Sequence, residues 1–336
     1  MDATALYEEA RTREDALAGF YNRNVRMEAD SGPVLVRIPG PRTEPMDLRL
    51  WSEAAVLRAI HPYVSLAPRL LHADERRRFQ IHGFVEGRRV DELAQDGKPL
   101  PDLVLDGVER LFDEMHRVPF SALPSVPADW PTDGDSVAFA GRLLTLVSEI
   151  RGRADAALEG LYGALGVPVE PCGLLAERAN RELTKRPFRL LHADIHRKNM
   201  ILTDQARVTF LDWELALWGD PVYDLADHLH KTSYTAVDRQ RIVAGWERVA
   251  SPECRRGWRA GLAFYLSYEE MKSAVVDTVR WGLRITEAAT ARERRRLAEE
   301  LRAKLVAASP HWGGGAPPAA ADIEDAAMAW LGSAGE

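Results

Sequence analysis

The first ninety residues alternate between short β-type segments and one helical stripe. β-Branched and other apolar residues dominate Val25 to Glu28 and Val34 to Ile38, and a polar turn containing glycine and proline separates the two runs. This arrangement predicts a β-hairpin. Apolar residues then recur at helical spacing from Leu48 to Ile60, and the run from Arg78 to Val85 is typical of a further strand. We therefore expect a small antiparallel sheet with one helix.

Beyond residue 86 the pattern becomes mainly helical. Apolar stripes with a helical period begin after Asp102 and at Val137, and a long helix is predicted from Trp258 to about Thr278. Short apolar runs return between Phe188 and Asp212, where they predict strands.

These patterns predict three regions with boundaries after residues 85 and 308. Gly83 and Gly87 bracket the predicted crossing from a small lobe, residues 1–85, to a larger lobe, residues 86–308. The remaining segment, 309–336, combines a glycine- and proline-rich flexible linker with a short helix from Ile323 to Leu331. Because the linker offers little apolar surface, we expect this tail to be dispensable for the fold.

Composition restricts the class of protein. The 336 residues exceed what one core normally serves, and 46% apolar with 28% charged residues is typical of a globular chain. The net charge of −7 lacks the basic surplus that nucleic-acid binding requires. With only Cys172 and Cys254, and no apolar run of membrane-spanning length, we expect no disulfide framework, no membrane segment and a cytoplasmic location.

The densest chemical signal lies between residues 190 and 214. An apolar strand leads into a polar loop at Asp194, Asn199 leaves that loop for a second strand, and a third strand ends at Asp212. Phosphoryl transfer needs a carboxylate that orients the attacking hydroxyl and oxygen ligands for magnesium ions on the phosphates. We expect Asp194 to supply the first function, and Asn199 and Asp212 the second.

Three ordered motifs resemble one known family, the aminoglycoside phosphotransferase and choline kinase superfamily. They are His192-x-Asp194-x-x-x-x-Asn199, then Leu211-Asp212-Trp213-Glu214, and Gly219-Asp220-Pro221-x-Tyr223-Asp224-Leu225-Ala226. Upstream, residues 19–24, 34–40 and 84–87 lie where that family has its nucleotide loop, its phosphate-binding basic residue and its interlobe hinge. The resemblance covers roughly residues 17–290. It implies an α+β, bilobal, protein-kinase-like fold, with an N-terminal nucleotide-binding lobe of antiparallel strands around one key helix and a larger, mainly helical C-terminal lobe.

The same resemblance implies individual roles. Asp194 would be the catalytic base, Asn199 and Asp212 the magnesium ligands, Arg37 the phosphate contact and Glu53 its ion-pair partner. Further nucleotide contacts would come from three residues of the loop and hinge: Asn24, Phe84 and Val85. The implied cofactors are ATP, with GTP possible, and Mg²⁺. Two features depart from protein kinases, because the nucleotide loop lacks a G-x-G-x-x-G run and arginine replaces the usual lysine at position 37.

Other interpretations of these residues remain open. His192, Asp194 and His196 alternate along the chain, so on an extended strand they would share one face and could bind zinc in a hydrolase. His192 could instead brace the loop by hydrogen bonds. Glu53 could be a solvated helix charge rather than a partner of Arg37. Asp220 is placed to cap a helix before Pro221.

The acceptor is the least determined part of the prediction. Acidic and aromatic residues in the C-terminal half could attract a cationic small molecule, and we expect the acceptor site among Asp224, Asp227, Tyr265, Tyr268 and Glu269. The expected function is phosphorylation of an antibiotic, of aminoglycoside, peptide or nucleoside type, for resistance or self-protection. A choline or ethanolamine kinase and a nucleotide-binding pseudokinase are the alternatives. The phosphorylated hydroxyl, the choice between ATP and GTP, and the oligomeric state do not follow from the sequence.

Overall fold

The computed structural model describes residues 1–14, 22–40 and 49–333. Packing divides the chain into two units, Met1–Trp130 with Phe188–Arg255, and Pro131–Pro187 with Arg256–Glu336. The boundaries after residues 85 and 308 stay a prediction.

The first unit begins with an N-terminal helix and a four-stranded antiparallel sheet. Its segments are α1 (Ala3–Thr12), β1 (Asn22–Ala29), β2 (Gly32–Pro39), α2 (Glu53–Ile60), β3 (Leu70–Asp74) and β4 (Phe79–Gly83). The strand order is β1-β2-β4-β3, and the predicted hairpin is present, with Val25 opposite Val36. Alternate residues turn inward and form one apolar cluster: Val25, Met27, Val34, Val36, Phe79 and Ile81.

Helix α1, which the sequence patterns did not predict, packs on this sheet. Ala10 is fully buried, and the ring of Tyr7 stacks on Phe79 with centroids 4.3 Å apart. Its apolar face has few residues, so the periodicity of the sequence was too weak to identify it.

Helix α2 begins later than its apolar stripe suggested. Leu48 lies outside the described residues, but the helix itself begins at Glu53, with Ser52 as the N-cap. The Ser52 hydroxyl accepts a hydrogen bond from the main-chain N–H of Ala55 at 3.3 Å. This cap fixes the helix start and places Glu53 in the first turn.

The remainder of the first unit contains short strands and four helices. The strands are β5 (Arg88–Arg89), β6 (Arg189–Leu191), β7 (Met200–Leu202), β8 (Val208–Phe210) and β9 (Leu217–Gly219). Strands β5, β7 and β8 form one small sheet, and β6 pairs with β9. The helices are α3 (Val90–Leu93), α4 (Asp102–His116), α8 (Pro221–Lys231) and α9 (Ala236–Val249).

The second unit is helical throughout its regular elements. It contains α5 (Ser136–Gly152), α6 (Ala156–Ala164), α7 (Gly173–Glu182), α10 (Trp258–Glu287), α11 (Ala291–Ala308) and α12 (Ala320–Ser333). Helix α10 extends nine residues past the predicted end at Thr278.

The terminal helix α12 packs against α6, α10 and α11. Ile323 and Ala327 are buried, and Glu324 lies 3.1 Å from Arg294. This packing argues against the expectation that the tail is dispensable, and the effect of the tail on stability stays a prediction. The composition of the linker gave no indication of the apolar pair Ile323 and Ala327 just beyond it. These two residues have i, i+4 spacing and face the neighbouring helices.

The small antiparallel sheet, with α2 between β2 and β3, and the larger helical part agree with the predicted fold class. Among the described residues, no helix is both long and apolar enough to cross a membrane.

Candidate active site

The pairing of β7 with β8 brings two predicted metal ligands to one place. Met200 lies opposite Phe210 in this antiparallel pair, so Asn199 precedes β7 where Leu211 follows β8. The N–H of Leu211 donates to the main-chain oxygen of Asn199 at 2.8 Å. Asp212, the next residue, therefore lies beside the loop that carries Asn199.

Asp194 follows a sharp left-handed turn at Ala193, where φ is +58°. The carboxylate of Asp224 on α8 holds this turn, since it accepts hydrogen bonds from the N–H groups of His192 at 3.1 Å and Ala193 at 2.7 Å. Asp224 is 1% exposed, and burial raises its pKa to about 7, although the two N–H groups act in the opposite direction. Its carboxylate is used inside the protein, which argues against the predicted role as an acceptor ligand.

The Asp194 carboxylate is held at both oxygens. Oδ1 accepts from Lys231 Nζ at 2.7 Å, and Oδ2 accepts from Asn199 Nδ2 at 2.8 Å. His196 Nε2 lies 3.6 Å from Oδ2. Burial alone would raise the pKa of Asp194, but Lys231 and His196 hold it well below its usual range. Asp194 is thus an ionised hydrogen-bond acceptor with 20% of its side chain exposed.

The zinc alternative is not supported. His192 is fully buried, its Nε2 pairs with the main-chain oxygen of Leu211 at 3.0 Å, and burial lowers its pKa to about 4. It therefore braces the loop. Within residues 1–14, 22–40 and 49–333, no three His, Cys, Asp or Glu side chains form a group that could hold a metal ion by themselves.

Arg197, inside the same loop, is a structural residue that the sequence analysis missed. Its side chain is buried, and its guanidinium lies 3.5 Å from Asp96. The two terminal nitrogens donate to four main-chain oxygens, those of Ala94, Gln95, Lys98 and Ser233. Arg197 thereby ties the loop to two neighbouring segments of the chain.

Arg37 on β2 is surrounded by carboxylates. Its guanidinium lies 3.4 Å from Glu53, 2.5 Å from Asp212 and 3.4 Å from Glu214. Glu53 is 4% exposed and also accepts from the N–H of Trp213 at 3.1 Å, so it is not a solvated helix charge. Burial raises the pKa of Glu53 to about 7, and burial followed by the charge of Asp212 raises the pKa of Glu214. Glu214 was part of a recognised motif, but its proximity to Arg37 depends on tertiary packing.

The predicted nucleotide contacts of the small lobe lie partly beside Arg37. Asn24 faces Arg37 across the β1–β2 pair, and its buried Oδ1 has no hydrogen-bond partner among the described residues. Phe84 donates its N–H to Pro33 at 3.1 Å, and Arg26 lies over its ring at 4.7 Å. Val85 continues the chain from there. Residues 19–21 of the predicted nucleotide loop lie outside the described residues.

Gly87 fits a position that other residues cannot occupy. Its φ is +147°, and an added Cβ would lie 2.4 Å from the main-chain oxygen of Leu202. The chain therefore passes β7 at a distance that only glycine allows.

The other predicted acceptor residues are buried as well. On α10, Tyr265, Tyr268 and Glu269 are fully buried, and Glu269 pairs with Lys272 at 2.5 Å. Their spacing is the i, i+3, i+4 pattern of an inward helix face. Their burial argues against the predicted role in binding a cationic acceptor, because residue type alone does not indicate which face of α10 is solvated.

Asp227 on α8 is also fully buried, and it forms an ion pair with Lys231 at 2.9 Å. Asp227 was predicted to bind the acceptor, whereas no role was predicted for Lys231. Their i, i+4 spacing, following Asp224 on one helix, was the available signal.

The donor set beside Asp194 suits a nucleotide-bound divalent cation. Three carboxylates surround the single guanidinium of Arg37, so the cluster is rich in oxygen donors. Asn199 uses its amide nitrogen on Asp194, which leaves the amide oxygen to coordinate. Mg²⁺ prefers such oxygen ligands, with phosphate oxygens and water completing its shell.

The site has the parts of a small-molecule phosphotransferase, an enzyme that phosphorylates a hydroxyl group. These parts are a basic residue and a glutamate on the small lobe, an ionised aspartate in a braced loop, and oxygen ligands at a strand end. Residues 13–264 match the model of the phosphotransferase enzyme family, and the chain belongs to this family. No curated protein gives a significant match.

Solved structures share the fold at low sequence identity. A choline/ethanolamine kinase family protein from Mesorhizobium loti is 16% identical, with 98% of this chain and 100% of that chain covered and a TM-score of 0.56. Macrolide 2'-phosphotransferase from Brachybacterium faecium is also 16% identical, with coverages of 89% and 97% and a TM-score of 0.53. A mutant of aminoglycoside phosphotransferase APH(4)-Ia, in a complex with ADP and hygromycin B, is 16% identical, with coverages of 90% and 97% and a TM-score of 0.53. The predicted kinase-like fold is confirmed.

Proposed function

We propose that the protein transfers the γ-phosphoryl group of ATP, or of GTP, to a hydroxyl group of an antibiotic. The observation that carries this proposal is the Asp194 carboxylate, ionised and fixed at both oxygens, and joined through Asn199 to the strand end that carries Asp212, the partner of Arg37. A fixed carboxylate next to cation-binding groups is what an in-line attack by a hydroxyl requires.

Each residue has a defined part in this reaction. Asp194 accepts a hydrogen bond from the acceptor hydroxyl and takes its proton as the new O–P bond forms and the bond to the leaving nucleoside diphosphate breaks. The low pKa of Asp194 keeps the carboxylate ionised, so that it can accept the hydrogen bond of the acceptor hydroxyl. Arg37 binds a phosphate oxygen. Asn199 and Asp212 would hold Mg²⁺, which neutralises phosphate charge when bound.

The choice of acceptor has two candidates. Similarity in fold to a macrolide phosphotransferase and an aminoglycoside phosphotransferase supports an antibiotic, and phosphorylation would then protect the cell. The full-length match to a choline/ethanolamine kinase family protein favours an amino alcohol as the second candidate. Since the acidic and aromatic residues of α8 and α10 are buried, they do not argue for a cationic acceptor.

A two-step assay tests the proposal. Nucleotide binding is first measured by calorimetry with and without Mg²⁺. Radiolabelled transfer is then followed on a panel of aminoglycoside, macrolide, peptide and nucleoside antibiotics, with choline and ethanolamine included. We expect transfer to at least one antibiotic. Turnover on choline or ethanolamine alone would replace the antibiotic with the second candidate, and binding without transfer to any compound would indicate a pseudokinase.

A further inference from the structure

We propose that Lys231 is a positioning residue for phosphoryl transfer, which acts by fixing the carboxylate of Asp194. This inference rests on the proposed function and adds a residue outside the three sequence motifs. Lys231 lies in the last turn of α8, and its ammonium reaches the loop that carries Asp194.

The contacts of Lys231 explain why it acts through Asp194. Its Nζ donates to Asp194 Oδ1 at 2.7 Å and to the main-chain oxygen of Ala193 at 3.0 Å, and it lies 2.9 Å from Asp227 Oδ1. Two hydrogen bonds of the ammonium thus go to the segment that carries Asp194, and Asp227 adds an opposite charge on the same helix. Lys231 therefore acts on the position of Asp194.

The anchor of Lys231 is rigid. Asp227, one helical turn earlier, is fully buried, so the ion pair holds the lysine against its own helix. The same helix carries Asp224, which holds the left-handed turn at Ala193. Helix α8 thus sets both the backbone turn before Asp194 and the direction of its carboxylate.

The opposite oxygen of Asp194 is fixed independently. Asn199 donates to Oδ2 at 2.8 Å, whereas Lys231 occupies Oδ1. With both oxygens held, the remaining lone pairs have one orientation for the incoming hydroxyl. Removing Lys231 frees Oδ1 and allows the Asp194 carboxylate to rotate. A displacement of a catalytic group by about 1 Å can lower the reaction rate by about 100-fold.

A double-mutant cycle with Asp194 tests this inference. For K231M we expect kcat to fall by about 10- to 100-fold, while the KM for nucleotide stays within about threefold of wild type. In a D194A background, K231M should lower kcat no further, because the residue through which it acts is gone. K231R should restore part of the rate. If Lys231 had only a structural role, the losses of kcat in K231M and in D194A would multiply in the double variant.

Two further variants separate positioning from folding. K231M removes the cation that lies 2.9 Å from the buried Asp227, so K231M/D227N also neutralises that carboxylate, and we expect it to fold while showing the same loss of kcat. K304M is the matched control, because Lys304 forms an ion pair of the same 2.9 Å length with Asp277 in the second unit. Its kcat should equal that of wild type.

The outcomes distinguish this inference from the proposed function. Absence of transfer by the wild-type enzyme contradicts the proposed function, whereas a wild-type kcat in K231M/D227N overturns the role of Lys231. A crystal structure of K231M/D227N provides a test that needs no acceptor. We expect an altered Asp194 side-chain rotamer in an unchanged fold, and an unmoved carboxylate would overturn the inference.

Discussion

Ala193 and Asp212 both have left-handed backbone conformations, with φ of +58° and +67°. Such conformations cost non-glycine residues free energy, so the surrounding structure must hold them. Asp224 holds the first, and Arg37 with Glu53 surrounds the second. The strained positions are those that aim the two carboxylates of the candidate site.

Removing the Asp194 carboxylate should abolish its orienting contact with the acceptor. For D194A we expect kcat to fall by about 10²–10⁴-fold, the range for a positioned general base. Nucleotide affinity should stay close to wild type. Steady-state kinetics and calorimetry measure the two quantities. D204A, in an exposed turn of the next strand connection, is the control that should keep the wild-type kcat.

Asp212 offers a pair of variants that separate charge from backbone strain. Asparagine tolerates a left-handed conformation better than alanine does. We expect D212N and D212A both to weaken nucleotide binding in the presence of Mg²⁺, and D212A to lose thermal stability in addition. Nucleotide Kd with and without Mg²⁺ checks the first expectation. An unchanged Mg²⁺ dependence in D212N would exclude Asp212 as a cation ligand.

At the scale of elements, helix α8 supports the catalytic loop. D224A would leave the N–H groups of His192 and Ala193 without their acceptor in a buried site. Each such unsatisfied group costs about 1–3 kcal/mol. We therefore expect a lower free energy of unfolding and a lower kcat, with little change in the acceptor KM. Urea denaturation and kinetics measure these, and a selective increase in acceptor KM would restore Asp224 as an acceptor ligand.

Helix α12 offers a second test at this scale. I323A removes a fully buried side chain, and such truncations cost about 2–5 kcal/mol. L331A, on the same helix and 49% exposed, should change the free energy of unfolding by less than about 0.5 kcal/mol. Urea denaturation compares the two. Equal values would mean that α12 contributes nothing to the stability of the second unit.

The sequence predicted elements well where a pattern is local. The β1–β2 hairpin, α4 and the strands around Asp194 follow from alternation, helical period and turn residues. Sequence patterns failed to predict the role of a residue where that role depends on which face of a helix is buried. Tyr265 and Glu269 have the residue types of a ligand site, but α10 turns them inward. The contacts of Lys231 with the Asp194 loop, and those of Arg197, were missed because these partners come from distant segments.

At the scale of the whole molecule, buried histidines should make stability sensitive to acid. Burial lowers the pKa of four of them, His82 and His116 to about 3, and His192 and His228 to about 4. Between those values and about 6.5 the unfolded chain binds protons that the folded protein does not, so stability falls as pH falls. Each histidine contributes about 1.4 kcal/mol per pH unit. Glu53 and Asp224, with pKa raised to about 7, act in the opposite direction and offset part of this loss.

H82Q isolates one contribution. We expect its free energy of unfolding to decline less steeply than that of wild type between pH 6.5 and 4.5. The difference in slope should correspond to the uptake of about one proton fewer on unfolding. Urea denaturation at several pH values gives the slope. H61Q removes an exposed histidine and should keep the wild-type slope. A slope in H82Q equal to that of wild type would mean that His82 is protonated in the folded protein.

The close approach of the chain to β7 at Gly87 has a consequence for movement of the sheet. Phe84 is tethered by its N–H to Pro33, while Arg88 and Arg89 are paired with Leu202 and Ile201 of β7. Residues 85–87 lie between these two tethers, and Glu86 lies 3.5 Å from Arg26 of β1, so a rotation of the sheet would be taken up within this short segment. Rotation about residues 85–87 would be transmitted through β7 to the loop that carries Asn199. The orientation of the sheet and the position of the catalytic loop would therefore be coupled.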